Sequence, residues 1–117
     1  MLYLVTWEYI ESGIPVPMQQ LPSLLRGAIV PSLQMCAELE KKRKIRGGGV
    51  FAGARASAIV LDADSNEEAS RLLQSLPFWS LMKFNVTPLQ AFEDRAKQEA
   101  AAADMLEAAV KTGHAPA

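Results

Sequence analysis

The first strand-like segment of the chain is residues 2–9, in which two sets of side chains alternate. The sets are Tyr3, Val5, Trp7, Tyr9 and Leu2, Leu4, Thr6, Glu8. A period of two with many aromatic and β-branched side chains predicts a β-strand with one face more apolar than the other. Because both sets contain apolar residues, either face is a candidate for the core. Residues 10–22 contain one glycine and three prolines, so they predict a long ordered loop.

Apolar residues recur at helical spacing from about residue 21 to residue 44, which predicts a helix. Pro31 removes a hydrogen-bond donor inside this helix, so a kink or a break is expected near Val30. The helix is predicted to end in the basic run of residues 41–46, whose cations complement the carbonyl end of the helix dipole. One of the glycines at 47–49 is expected to supply the left-handed residue that stops it.

The middle of the chain predicts a hairpin, a short helix and a last strand. Two runs rich in small and β-branched residues in VFAGARASAIVLD meet near Gly53, as in an antiparallel hairpin. Ser65 and Glu68 have the spacing of a capping box, so a helix should begin at Ser65 and end before Pro77. The segment LMKFNVTPL predicts a strand closed by Pro88. This order of elements is that of the ferredoxin-like split βαββαβ fold of the α+β class, with both helices on one face of an antiparallel sheet.

The second face of such a sheet is uncovered and would expose several hundred square ångströms of apolar surface, which monomers rarely tolerate. We therefore expect a second subunit to cover it, so that two sheets form an intersubunit α+β barrel. The chain is predicted to be a homo-dimer or a larger homo-oligomer.

Residues 91–112 predict a C-terminal helix beyond the ferredoxin-like domain of residues 1–90. Its helical stripe, which Glu99 interrupts, consists of Phe92, Ala96, Ala103, Leu106 and Val110. The stripe is too rich in alanine to build a deep core of its own. We expect the helix to pack on a partner subunit, the alternative being a solvated or partly frayed helix. Residues 113–117, with His114, are predicted to form a flexible tail without a functional role.

Composition and charge exclude several classes of protein. A chain of 117 residues has the length of one domain, and its formal net charge of -1 gives no general attraction to polyanions. Cys36 is the single cysteine, which excludes an internal disulfide and a cysteine zinc cluster and fits a cytoplasmic location. The first ten residues lack a basic start and include Glu8, so neither a signal peptide nor a membrane helix is predicted. No membrane partner is therefore expected.

Two motifs that suggest phosphate binding are weak. The basic run KKRKIR has no aromatic platform beside it, so it does not predict a nucleic-acid site. The glycines at 47–49 follow a helix rather than joining a strand to a helix start, so they do not predict a nucleotide site. A small molecule is the expected ligand.

The segment LPFWSLM, residues 76–82, is unusually apolar for a connection between a helix and a strand. Connections normally lie on the surface, so two adjacent aromatic side chains there must be covered by something. A ligand, a second subunit, the chain's own tail and the domain's own core are the alternatives.

Residues 52–89, AGARASAIVLDADSNEEASRLLQSLPFWSLMKFNVTPL, resemble the second half of the muconolactone delta-isomerases. The shared features are a hairpin that ends in an aspartate, a short helix, and a turn in which Leu76, Pro77 and Met82 keep their spacing around the aromatics. The start of the chain matches too, so the resemblance extends over residues 1–89. It implies small α+β barrel subunits, assembled into dimers and often larger rings, that shift a proton in a lactone ring without a cofactor during aromatic catabolism.

The chain departs from that family where the chemistry is expected. Ala54, Arg55 and Ala58 stand where the family has a histidine and two tyrosines. Ser32 and Gln34 stand near the family's acidic pair, and the alanine-rich helix replaces its histidine-rich tail. Fold and reaction must therefore be argued separately.

Two charged residues are candidates for proton transfer. Glu8 adjoins Trp7 and Tyr9, which would partly desolvate its carboxylate and make it a stronger base. The alternative is a solvated glutamate at a strand end. Arg55 in the hairpin would hold a ligand carboxylate or stabilise an enolate, unless it is an exposed arginine at the sheet edge.

The candidate substrate contacts are Tyr3, Trp7, Phe78, Trp79 and Met82. We call residues 76–82 the aromatic turn. The resemblance implies that this turn closes against a subunit interface near the pocket, so that a partner or a bound ring covers Phe78 and Trp79. Tyr3 offers a hydroxyl to an oxyanion, although a tyrosine on an apolar strand is commonly a core residue. No metal site is predicted.

Three classes of function remain open. The first is a cofactor-free isomerase or lyase that acts on a small lactone or carboxylated ring. The second is a non-catalytic ligand-binding or accessory protein of the same fold, which the missing histidine and tyrosines favour. The third and weakest is a monooxygenase of the wider α+β barrel group, whose haem forms need a core histidine that this sequence lacks. Glu8 and Arg55 in one pocket would favour catalysis, and an apolar pocket without them would favour binding.

Overall fold

The computed structural model describes residues 1–11 and 15–113. Its elements follow the predicted order: β1 Leu2–Tyr9, α1 Leu21–Leu24, α2 Val30–Lys41, β2 Ile45–Val50, β3 Ala56–Asp62, α3 Asn66–Gln74, β4 Met82–Pro88 and α4 Phe92–Lys111. The 3₁₀ turns Met18–Gln20 and Trp79–Leu81 precede α1 and β4, and a π-helical turn, Leu25–Ile29, joins α1 to α2. Part of the predicted loop, residues 12–14, and His114 with the rest of the tail beyond residue 113 lie outside the described residues.

The four strands form one antiparallel sheet in the order β2-β3-β1-β4. β1 lies between β3 and β4, so that Val5 pairs with Ile59 on one side and with Val86 on the other. This arrangement confirms the predicted α+β ferredoxin-like fold. The intersubunit barrel stays a prediction.

The core lies between one face of the sheet and the helices. Tyr3, Val5 and Trp7 are buried on that face, whereas Leu2 and Leu4 are 41% and 40% exposed on the other. The Tyr3 hydroxyl donates a hydrogen bond to Asn66 Oδ1 at 2.7 Å, which ties β1 to the start of α3. The aromatic set of β1 is therefore the core set, and the opposite side of the sheet, here called the open face, has no cover within the described chain.

The irregularity expected around Pro31 is a π-helical turn rather than a break. The turn spans Leu25–Ile29, directly before Pro31, and the helix continues through α2. Pro31 has no N–H to donate to the preceding turn, and a widened turn accommodates that missing bond. Ser32 adds a local bond, since its hydroxyl donates to the Ala28 carbonyl oxygen at 2.7 Å.

The predicted helix end is correct in lying in the basic run of residues 41–46, but its predicted mechanism was wrong. α2 ends at Lys41, and the left-handed residue is Arg43, with φ 61°, rather than a glycine. The Arg43 N–H donates to the Glu40 carbonyl at 3.0 Å and the Lys44 N–H to that of Leu39 at 2.9 Å, which is the bond pattern of a Schellman motif. The helix therefore stops before the glycines, which belong to β2.

The predicted C-terminal helix is present as α4. Its twenty residues correspond to about 30 Å of helix, and its described side chains are exposed apart from a half-buried Ala109. The chain has a radius of gyration of 20.7 Å and a longest extent of 72 Å. A compact chain of this length has a radius of gyration of roughly 13 Å, so α4 contributes little to the core of its own chain.

Candidate functional site

An apolar cleft of about 200 Å³ lies between α2 and the β2–β3 hairpin, and we call it the α2–hairpin cleft. Helix α2 contributes Leu33, Cys36, Ala37 and Glu40, and the sheet contributes Trp7, Ile45, Gly48, Gly49, Val50, Ser57 and Ile59. Within the described residues, no group of three His, Cys, Asp or Glu side chains is placed to hold a metal ion.

Two of the β2 residues that line the cleft, Gly48 and Gly49, have no side chain that could occupy it. Gly48 pairs with Ile59, on the helix-facing side of the sheet. Its φ of +97° is a conformation that side chains rarely adopt, and a Cβ built there would overlap the Ala58 carbonyl oxygen. An irregularity in register between Ile45 and Gly47 accompanies this conformation. Space therefore remains between β2 and α2.

The polar groups that line the cleft are few. Glu40 is its one charged lining residue, Ser57 is a buried lining residue, and the half-buried Cys36 lies one helical turn before Glu40. Burial raises the pKa of the Cys36 thiol, which favours the neutral form. A carboxylate and a hydroxyl at the edge of an apolar space suit a small ring with one or two polar substituents.

The aromatic turn packs largely into the core of its own domain. Phe78 is 1% exposed, and its ring lies 5.7 Å from Trp7 and 6.2 Å from Phe84 between centroids. The Phe78 N–H donates to Ser32 Oγ at 2.9 Å. Trp79 stacks on Phe84 at 4.8 Å and keeps 39% exposure. Within a single chain, Phe78 plugs the core and Trp79 presents an aromatic surface.

The two predicted catalytic residues lie close together but outside the cleft. Glu8 is exposed on the open face, where its register partners are Ala56 and Lys83. Arg55 is exposed in the hairpin loop, and its carbonyl accepts a hydrogen bond from the Tyr9 N–H at 3.0 Å. Both residues therefore lie at the same end of the sheet.

Of the predicted substrate contacts, Trp7 alone lines the cleft. Tyr3 and Met82 are buried core residues, and Phe78 and Trp79 lie in the aromatic turn. No ligand tests these assignments, so the roles of all five residues stay predictions.

Sequence reasoning missed Glu40, Cys36 and Ser57. A signal for Glu40 was present, because it lies seven residues after Leu33 and three after Ala37, on the apolar stripe of α2. Glu40 is exposed, so its carboxylate lies at the open edge of the cleft.

A family model described as muconolactone delta-isomerase matches residues 1–95. A crystal structure of muconolactone isomerase is similar with 24% identity and a TM-score of 0.61, covering 78% of this chain and 90% of that chain. A 5-chloro-2-hydroxyhydroquinone dehydrochlorinase from Burkholderia phenoliruptrix AC1100, in complex with 2,5-dihydroxybenzoquinone, is similar with 22% identity and a TM-score of 0.52, covering 80% and 98%. No curated protein matches the chain in sequence. The two structures share its fold, and the family match ends four residues into α4.

Across residues 1–11 and 15–113, none of the helices has the length and apolar character needed to cross a bilayer.

Proposed function

The chain belongs to the muconolactone delta-isomerase family, and from this premise we propose that it binds a small ring compound in the α2–hairpin cleft and shifts a proton on it without a cofactor. The observation that carries the proposal is an apolar space of about 200 Å³ with one carboxylate, that of Glu40, among its lining residues. An apolar cavity of roughly 150 Å³ holds benzene, so the cleft has room for a single ring. We propose a cytoplasmic location, which the lone cysteine supports.

In the proposed reaction Glu40 is the general base. It removes a proton from the carbon next to a carbonyl group, and the C–H electron pair forms the enolate. The protonated Glu40 then returns the proton to the far carbon of the conjugated system, so that the C=C bond moves and no atom is gained or lost. Ser57 donates a hydrogen bond to the developing enolate oxygen.

A second candidate function is ligand binding without turnover. The positions of Glu8 and Arg55 favour it, because neither lines the cleft, and Glu40, which does, is exposed as they are. The replacement of the family's histidine and tyrosines by Ala54, Arg55 and Ala58 supports the same candidate.

Glu8 and Arg55, which the sequence predicts as catalytic residues, would place the reaction outside the α2–hairpin cleft. We propose that two copies associate through their open faces, as the resemblance to α+β barrel proteins implies. Glu8 and the neighbouring Arg55 would then lie at or near the interface between subunits. A carboxylate there acts as a base only in the assembled protein.

Proton NMR of muconolactone in deuterated buffer tests these alternatives. We expect the wild-type chain to exchange or migrate the ring proton, and Glu40→Gln to lower the rate by about 10²-fold or more. Glu67→Gln, which changes an exposed glutamate on α3, is the control and should leave the rate unchanged. Amide shifts of Gly49 and Val50 report occupancy of the cleft in the same samples.

Each outcome assigns one site and one function. Exchange that survives Glu40→Gln but is lost in Glu8→Gln places the chemistry on the open face and refutes the cleft mechanism. Shifts at Gly49 and Val50 without exchange above the buffer rate support binding without turnover. The absence of both shifts and exchange excludes muconolactone as the ligand of this cleft.

A further inference from the structure

We propose that α4 pairs antiparallel with α4 of a second copy of this chain, about a two-fold axis close to Ala101. This helix lies almost wholly beyond the family match, which ends at residue 95, so the pairing is a property of this chain rather than of the family. The proposal does not depend on the proposed function.

The first observation is an apolar stripe on α4 that the described chain leaves uncovered. Phe92 and Val110 are 95% and 76% exposed, and Leu106 is 51% exposed. The stripe follows alternating steps of four and three residues: Phe92, Ala96, Glu99, Ala103, Leu106, Val110. This spacing is that of a coiled-coil seam. The stripe is therefore suited to a second helix.

The second observation is that the stripe is complementary to itself when one helix is reversed. The antiparallel register places Phe92 level with Val110 of the second copy and Ala96 level with its Leu106. Large apolar side chains then meet at both ends of the seam, and nearer the centre each larger side chain lies level with an alanine, so that the two helices can pack closely. Ala103 lies in the seam near the centre with Ala100 and Ala102 on its flanks, and these small side chains permit a close approach of the two helices.

The third observation is the charge pattern beside the seam. Glu93, Lys97, Glu107 and Lys111 each follow a seam residue by one position, so they lie on the same flank. Reversal of the second helix places this flank beside its own counterpart, with Glu93 near Lys111 and Lys97 near Glu107 of the second copy. Ion pairs at such positions select helix partners and orientation. The charge pattern and the seam thus select nearly the same register, within about half a turn.

Glu99 excludes the parallel alternative. Parallel pairing places each seam residue level with its own counterpart, so two Glu99 carboxylates would meet in the seam. In the antiparallel pair Glu99 lies level with Ala103, and its charge is held by Arg95 at 2.8 Å on the same helix. Like charges in direct contact are a common way to reject a wrong arrangement.

Spin labels on the full chain test the pairing. In a Cys36→Ser background, a spin label is attached at Thr112→Cys. Pulsed electron–electron double resonance then measures the distance between the labels of two copies. Antiparallel pairing places the two labels about 33 Å apart, at 1.5 Å of rise per residue, and parallel pairing places them about 10 Å apart. We expect the long distance in the parent chain and its loss in Leu106→Asp/Val110→Asp. The control is Ala101→Asp/Ala108→Asp, which adds the same charges to the opposite side of α4 and should keep it.

A charge exchange makes the orientation independently testable. Lys111→Glu should raise the protein concentration at which half of the labelled chains are paired at least tenfold. Glu93→Lys/Lys111→Glu should restore the parent value. The double variant places like charges at both i,i+4 spacings within each helix, so a rescue must come from the second copy. The proposal is overturned if the inter-label distance is short, if no distance between copies is found, or if the long distance persists in Leu106→Asp/Val110→Asp. It is also overturned if the double variant pairs as weakly as Lys111→Glu.

Discussion

Ser32 connects the helix layer to the aromatic turn through a single buried hydroxyl group. That hydroxyl donates to the Ala28 carbonyl at 2.7 Å and accepts from the Phe78 N–H at 2.9 Å. The residue is 0% exposed, so water has no access to replace either bond. A buried N–H without an acceptor costs more than the net gain of an ordinary hydrogen bond.

Ser32→Ala should therefore destabilise the chain by about 1–3 kcal/mol, because the Phe78 N–H loses its acceptor inside the core. Urea unfolding followed by tryptophan fluorescence measures the change. Ser75→Ala is the matched control, since its exposed hydroxyl donates to the Leu72 carbonyl and water can replace it. Equal stabilities of the two variants would show that the Ser32 bond contributes nothing.

The neighbouring glycines Gly48 and Gly49 have opposite requirements. A Cβ at Gly48 would overlap the Ala58 carbonyl oxygen in a backbone conformation with φ +97°, whereas a Cβ at Gly49 meets nothing within 4 Å. We expect Gly48→Ala to lose about 2–4 kcal/mol of stability and Gly49→Ala to change it by less than about 1 kcal/mol. Thermal unfolding of both variants tests the difference, and similar losses would contradict the strained geometry of β2.

At the scale of elements, α3 is held by its cap and by one ion pair. Ser65 Oγ accepts from the Glu68 N–H at 3.1 Å, and Glu68 pairs with Lys44 at 2.8 Å, where the chain leaves α2. The hydrogen bond from Lys44 and the bond from the Asp64 N–H lower the pKa of Glu68. The bond to Glu68 raises the pKa of Lys44. The pair therefore links α3 to the start of β2.

The shifted pKa of Glu68 predicts a pH dependence of stability. Because the folded state lowers this pKa, the stabilisation is complete above the ordinary glutamate range and disappears as the pH falls through the lower folded value. The shift of Lys44 has the opposite sign, so its contribution disappears only at strongly alkaline pH. Glu68→Gln should thus lower the Tm at pH 7, and its Tm should converge on that of the wild type as the pH falls below the lowered pKa of Glu68. Glu67→Gln serves as control, and a gap between Glu68→Gln and the wild type that stays constant with pH would contradict the linkage.

The elements were largely predictable because their signals are local. The cap at Ser65, the hairpin around Gly53 and the strand before Pro88 each rest on residues close in sequence. The inclusion of Gly47–Gly49 in β2 was not predictable in this way, because glycine has low strand propensity and only the pairing with β3 holds it there. The helix end was missed because Arg43 takes a conformation usually left to glycine.

The candidate site was predicted less well than the fold. Trp7 and Glu8 were assigned to one ligand, yet adjacent residues of a strand point to opposite faces. Trp7 accordingly lines the cleft, and Glu8 lies on the open face. That the exposed Glu40 lines the cleft depends on how helix and sheet pack, which no local pattern determines.

At the scale of the whole molecule, two surfaces expose apolar side chains that a partner would cover: the open face and α4. They lie on different elements, so each can form its own two-fold interface. A chain with two distinct two-fold interfaces assembles into more than a dimer. Open-face pairing and α4 pairing are therefore separable by mutation.

Leu4→Asp should weaken association through the open face. Its carboxylate would be buried without a partner, so we expect the Kd to rise at least tenfold, or about 1.4 kcal/mol. Sedimentation is measured in the Leu106→Asp/Val110→Asp background, so that α4 does not contribute. Gln74→Asp, at an exposed position on α3, is the control, and an unchanged Kd for Leu4→Asp would show that the open face is not an interface.

The geometry of β2 also restricts which residues can occupy position 48 beside the cleft. A side chain at that position collides with the backbone of β3, so a substitution there damages the hairpin instead of merely narrowing the cleft. Substitutions that alter the cavity while preserving the fold are open at other lining positions, such as Ala37 of α2 and Gly49 of β2, where an added Cβ meets nothing within 4 Å. Variation at these positions can therefore adjust the size of the accepted ligand, while the requirement for glycine at position 48 keeps one part of the cavity wall unchanged.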